Sequence, residues 1–324
     1  MKSNKQIIFI CILLVIVAIG VYYYFDKNKS NNQPISQSSA SQIQTSTVSS
    51  PSITAKKDEL SYDGTLYYTN VSNNIYEIYN KKSSNNPTLI FTDKDENEKI
   101  IYTPSMSSNG KIIVVMAAPD QNFNASLYSI NEDGSGQKTK IINKFSTSQA
   151  PVINKDGSKI AYVNFSNAEF EYGFSLYVSD TDGNNKVKID TDPSLISNFI
   201  FNFDSNSLIY QKNNKIYQTS LDGKNTNMLY ELSSENKITG LCNNVKTTDL
   251  LITLQNKILK LNIDTKNVDT LYESTEDTQL NNAYFVSTNE DKIAYIANNN
   301  LIIIDLNKKS LTSNLATNII DWIQ

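Results

Sequence analysis

The side chains of this chain best suited to chemistry are aromatic rings set among carboxylates. In NFSNAEFEYGFS, residues 164–175, Phe165, Phe170, Tyr172 and Phe174 surround Glu169 and Glu171. A second stretch, TDKDENEK at 92–99, carries Asp93, Asp95 and Glu96, and Phe123 stands in AAPDQNFNAS at 117–126. Rings stack on sugars and on apolar parts of peptides, and carboxylates beside them attract cationic groups. These ten residues are therefore the expected ligand contacts, for a protein, peptide or glycan of the cell envelope, which the carboxylates allow to be basic. The rings could equally pack on their own sheet edge, as apolar loop residues commonly do.

Much other chemistry is excluded. All 29 basic residues are Lys, and His is absent. Without His there is no Ser-His-Asp or Cys-His relay and no imidazole metal ligand. Without Arg there is no guanidinium clamp for carboxylate or phosphate. A formal charge of −4 and a pI near 5.1 argue against nucleic acid as a partner. The Asp-Gly pairs at 63, 133, 156, 182 and 222 read as hairpin turns, since none begins a D-x-D-x-D-G loop with a Glu six residues beyond. No metal or cofactor is expected. Cys242 is expected to be a buried structural thiol, because the other cysteine, Cys11, lies in an apolar run. Glycoside hydrolysis would need only two carboxylates ~5 to 9.5 Å apart, which makes a carbohydrate-active hydrolase or lyase the alternative to a non-enzymatic binding module. Asp321 is the one acid placed on an inner-strand end; no catalytic residue is assigned.

These residues sit in a chain of three parts. Residues 7–25 form a run of 19 without a charge, long enough to cross a bilayer as a helix. It lacks the short apolar region and small-residue site of a cleaved signal. Residues 1–25 are thus expected to be a cytoplasmic tail and a single-pass membrane anchor, with the rest extracytoplasmic. Residues 26–59 are dominated by Ser, Asn, Gln and Thr and cannot build a core, so they are expected to be a disordered linker.

From residue 60 a unit repeats. Its opening strand recurs as GTLYYT at 64, GKIIVVM at 110, GSKIAYV at 157, NSLIYQ at 206, DLLITL at 249 and DKIAYI at 291, at spacings of 46, 47, 49, 43 and 42 residues. Periods of ~40 to 50 residues with four short strands each belong to propellers. The strand that precedes each opening strand is represented a sixth time at the carboxyl end, by NIIDWI at 318–323. There it can complete the first blade and remove an open edge. The expected fold is all-β: a six-bladed β-propeller over 60–324, closed by its C-terminal strand.

The segment APVINKDGSKIAYV followed by SLYVSDTDGNNKVKI resembles the TolB-like propeller repeat, with Pro104 and Pro151 at the proline position. The resemblance implies an extracytoplasmic propeller, here from a bacterium, without the helical domain that precedes the propeller in Tol proteins. In such a fold the long loops after the opening strands and the loops leading into the inner strands share one face. The latter carry Asp93, Asp95, Glu96, Glu98, Asp190, Asp192, Glu231, Glu235, Glu273, Glu276 and Asp277, so that face is expected to be acidic.

Overall fold

The computed structural model describes residues 62–323 apart from 63, 73–74, 83–85, 94–96, 119–123, 132–137, 167–172, 191–195, 234–236, 245–246, 275–278, 288, 299, 308–309 and 316–317. The expected anchor and linker lie outside the described residues. Among those described, no helix is long and apolar enough to cross a membrane.

Every regular element described is a strand. Blade one holds β1 (Thr65–Ser72), β2 (Ile75–Lys82) and β3 (Thr88–Thr92). Blade two holds β4 (Lys99–Ile100), β5 (Ser105–Met106), β6 (Lys111–Ala117), β7 (Ala125–Asn131) and β8 (Thr139–Phe145). Blade three holds β9 (Val152–Ile153), β10 (Lys159–Ser166), β11 (Gly173–Asp180) and β12 (Val187–Asp190). Blade four holds β13 (Ile196–Phe201), β14 (Ser207–Lys212), β15 (Lys215–Ser220) and β16 (Thr226–Glu231). Blade five holds β17 (Ile238–Asn243), β18 (Asp249–Leu254), β19 (Lys257–Asn262) and β20 (Val268–Glu273). Blade six holds β21 (Leu280–Phe285), β22 (Lys292–Ala297), β23 (Asn300–Asp305) and β24 (Ser310–Leu315). The last strand, β25 (Asn318–Ile323), leaves blade six and pairs with β1 in the order β25-β1-β2-β3. Six antiparallel sheets and closure by the carboxyl end are therefore found as expected.

The continuous apolar runs of the opening strands follow from burial on both faces. In β6, Ile112, Val114 and Met116 pack towards blade one, while Ile113, Val115 and Ala117 pack towards blade three. Alternation with period two thus feeds two different cores from one strand. At the seam, Leu66 and Tyr68 of β1 join Ile319 of β25 in a cluster with Val286, Ala294, Ile296, Leu301 and Ile303 of blade six. Tyrosines add cross-strand stacks: Tyr68 on Tyr79, Tyr162 on Tyr177 and Tyr210 on Tyr217, with centroids 5.6, 5.9 and 5.6 Å apart. Proline shapes the inner strands, because it cannot donate to a ladder. Pro104 separates β4 from β5, which both pair with β6, and Pro151 immediately precedes the two-residue β9.

Candidate functional site

Five inner strands end on a buried Ser or Asn: Ser107, Asn154, Asn202, Asn244 and Ser287. The turn explains the choice. A short oxygen-bearing side chain can accept a backbone amide of the strand that follows, as Asn154 Oδ1 does from Lys159 N at 2.8 Å and Ser287 Oγ from Lys292 N at 2.9 Å. Three residues further on the chain is left-handed, at Gly110, Gly157, Ser205 and Glu290 (φ +82, +74, +60 and +61°). The first three of these turns carry Ser108, Lys155 and Phe203 to the rim of the axial cavity, where Asn244 of blade five joins them.

There the inner strands enclose an axial cavity of about 160 Å³, to which all six blades contribute: Ile320, Met106, Ile153, Phe201, Leu241 and Tyr284, in blade order. The polar part of its wall is Ser105, Ser108, Lys155, Asn202, Asn243 and Asn244. Asn243 stitches blade five to blade four, its Nδ2 donating to the Phe201 carbonyl, while its Oδ1 is buried without a donor. Tyr284 Oη donates to the Ile320 carbonyl across the seam at 3.3 Å. Lys155 is the charged residue of the described wall, which holds no carboxylate. A shallow depression shares Ser108, Lys155 and Phe203 and adds Asp156 and Asp204. Cys242 is also in the wall, half-buried rather than fully buried as the sequence led us to expect.

This cavity opens among the inner-strand turns, on the face opposite to the long loops singled out in the sequence. Of the residues expected to bind, Phe123, Asp95, Glu96, Glu169, Phe170, Glu171 and Tyr172 lie outside the described residues. Phe165 and Phe174 face each other across β10 and β11, edge to face at 5.1 Å, and Phe174 packs on the core between blades three and four. For these two the packing alternative holds: they form the stem of the hairpin that carries 167–172. Asp93 is placed inside the fold. It is 1% exposed, its Oδ2 accepts from Ile100 N at 2.8 Å, and its own amide donates to the Tyr76 carbonyl at 2.9 Å. Its carboxylate fixes the crossing from β3 to β4 instead of facing a ligand.

Other acids of that face are also engaged. Asp190 meets Lys212 at 3.1 Å and accepts from Tyr210 Oη at 3.1 Å; Glu231 meets Lys215 at 3.6 Å, Glu273 meets Lys257 at 2.9 Å, and Glu98 accepts from Tyr128 Oη at 2.6 Å. The lysines come from ends of β14, β15 and β19, so the described part of the face is less acidic than its loops alone suggest. The described Asp-Gly turns, at 156, 182 and 222, behave as expected of hairpins. Asp182 Oδ1 accepts from Asn184 N at 2.9 Å, and that bond holds its carboxyl below the usual range; the Ser220 hydroxyl and the Lys224 amide do the same for Asp222. For Asp321 the structure gives the backbone position, opposite Tyr67.

No known family profile matches the chain, and no curated protein does. Solved structures match its fold. A chain of a nidogen/laminin complex superposes with a TM-score of 0.59 at 13% identity, covering 79% of this chain and 95% of that one. TolB from Acinetobacter baumannii gives 0.59 at 15% identity, covering 80% of this chain and 65% of that one, so this chain spans less than two thirds of that protein. Oligogalacturonate lyase from Vibrio parahaemolyticus gives 0.52 at 12% identity, with 76% and 73% covered. In fold, this chain is a six-bladed β-propeller, an architecture that superposes on TolB.

Proposed function

We propose that this propeller is a non-enzymatic binding module, held outside a bacterial membrane by residues 7–25, which takes a segment of a protein, peptide or glycan into its axial cavity. The observation that carries this is the wall of the cavity: all six blades contribute, its polar groups are amides and hydroxyls with Lys155, and no carboxylate is among the described lining. A glycosidase needs two carboxylates at the reacting bond, and on the other face the described acids are held by lysines, a tyrosine or backbone. A neighbour in fold taken from a nidogen/laminin complex is in keeping with a protein partner. The Phe165–Phe174 stem favours a second contact surface, the segment 167–172 that it carries.

The test is capture of partners by the full chain in detergent, comparing wild type with Ser108→Trp, which blocks the cavity mouth at an exposed position, and with Phe170→Ala/Tyr172→Ala. The expected result is a partner retained by wild type and lost with Ser108→Trp. Equal capture by wild type and the blocked variant would refute the cavity reading, and release of sugar fragments from polysaccharide would refute the non-enzymatic one.

A further inference from the structure

Several side-chain donors of the cavity wall lack acceptors among the described residues. Asn202 is 6% exposed; its Oδ1 accepts from Phe203 N at 3.0 Å, and its side-chain nitrogen has no acceptor among the described residues. That nitrogen is not among the fully buried unpaired side-chain atoms, and Asn202 lines the cavity, so the amide is open to an acceptor that enters it. Ser105 Oγ accepts from Ile153 N at 3.1 Å, which directs its own hydroxyl proton elsewhere. Lys155, at the mouth, has no ion-pair partner among the described residues. Blades two, three and four thus each present an unspent donor to one space, and one of the three is a cation. One amide oxygen of the wall, Asn243 Oδ1, is buried without a partner. The nearby carboxylates, Asp156 and Asp204, line the outer depression, where they accept from Ser158 N at 2.9 Å and Asn206 N at 3.0 Å.

The rest of the wall is apolar. A cavity of about 150 Å³ with apolar walls accepts a ring of six carbons, and this one measures about 160 Å³ with Met106, Ile153, Phe201, Leu241 and Ile320 around it. We propose that the axial cavity binds a carboxylate on an apolar body of about five or six carbons, either a free organic acid or the carboxyl-terminal residue of a peptide. The carboxylate accepts from Asn202 Nδ2 and Ser105 Oγ and pairs with Lys155, while the body occupies the apolar wall. This rests on the binding reading given above and names the chemistry of the site's occupant.

Calorimetric titration of the full chain in lipid discs, with empty discs subtracted, tests it. The probes are hexanoate, hexanol, and N-acetyl-glycyl-leucine as its acid and as its amide. Hexanoate and the peptide acid are expected to bind, with hexanol and the peptide amide at least about tenfold weaker, because a charge-assisted bond is lost. Lys155→Met, at an exposed position, is expected to weaken the acids about tenfold and leave hexanol unchanged. Asn202→Asp is isosteric and still accepts from Phe203 N, but turns the buried donor into an anion, so it is expected to abolish acid binding. Its fold is checked by its circular dichroism spectrum.

No heat from either acid at ~10 mM, a range in which even millimolar affinity shows, would overturn the proposal, as would hexanol binding as well as hexanoate, or both variants binding like wild type. A peptide acid at least about tenfold tighter than hexanoate assigns the site to peptide ends, and the reverse order assigns it to free acids. Failure of all acids with partner capture intact would remove this proposal alone. Loss of cavity-dependent capture with acid binding intact would remove the wider reading alone.

Discussion

Asp93 separates a ligand-binding role from a structural one most cleanly. By residue type it belongs to an acidic binding face; by position it is 1% exposed, with Oδ2 2.8 Å from the amide of Ile100. A hydrogen bond to a charged acceptor contributes about 1.5 to 3 kcal/mol, and removing it leaves a buried N–H unsatisfied at a cost of similar size. Asp93→Ala should therefore destabilise the propeller by about 2 to 3 kcal/mol, on the order of 5 to 10 °C in melting temperature for a domain of this size. Asp93→Asn keeps an acceptor for Ile100 and should cost less than about 1 kcal/mol. Urea unfolding followed by circular dichroism measures both, with the m-value unchanged. Partner capture well below the melting temperature should be the same for wild type and both variants. A stable Asp93→Ala protein that had lost its partner would refute the assignment of this carboxylate to the β3–β4 crossing.

Three further outcomes follow from the geometry. A methyl group at Gly240 would lie 2.9 Å from the backbone of Asn282 on β21, so Gly240→Ala should destabilise by roughly 1 to 3 kcal/mol through overpacking between blades five and six, read as a lower urea midpoint. Ser205 holds a left-handed φ of +60° where blades two and three have glycine, so Ser205→Gly should stabilise by about 0.5 to 1 kcal/mol, read as a higher one. Burial pushes Tyr68 and Tyr162 from 10.0 up to about 12. The folded chain then keeps protons that the unfolded chain gives up, so their contribution is full below about pH 10 and is lost as pH rises towards about 12. Urea midpoints measured across that window should fall, in step with tyrosinate absorbance.

The fold was legible because the repeat prints itself along the chain. Opening strands at near-constant spacing, Asp-Gly turns and NIIDWI at the carboxyl end are local patterns, and together they give six sheets and the seam. The site was less legible because its contacts join residues far apart in sequence. Lys212 neutralises Asp190 from 22 residues away, and Asn243 reaches the Phe201 carbonyl across 42. Long aromatic loops drew attention to one face, whereas the described cavity opens on the other, among turns that read as plain hairpins. One signal for it is local after all: the Ser or Asn closing the inner strands at 107, 154, 202, 244 and 287. A polar residue recurring at the end of an apolar strand marks the turn that borders the cavity, and at Asn202 and Asn244 it is itself part of the wall.

The ring itself is tested by a cross-link. Thr65 on β1 and Ile323 on β25 are direct antiparallel partners, and such pairs lie within the Cα separation of about 4.4 to 6.8 Å that a disulfide requires. With Cys11 and Cys242 changed to Ser, the double variant Thr65→Cys/Ile323→Cys should form an intramolecular disulfide under mild oxidation, seen as a monomer of increased gel mobility that reverts on reduction. Free thiols throughout, or disulfides only between chains, would show that the carboxyl-terminal strand does not close the first blade.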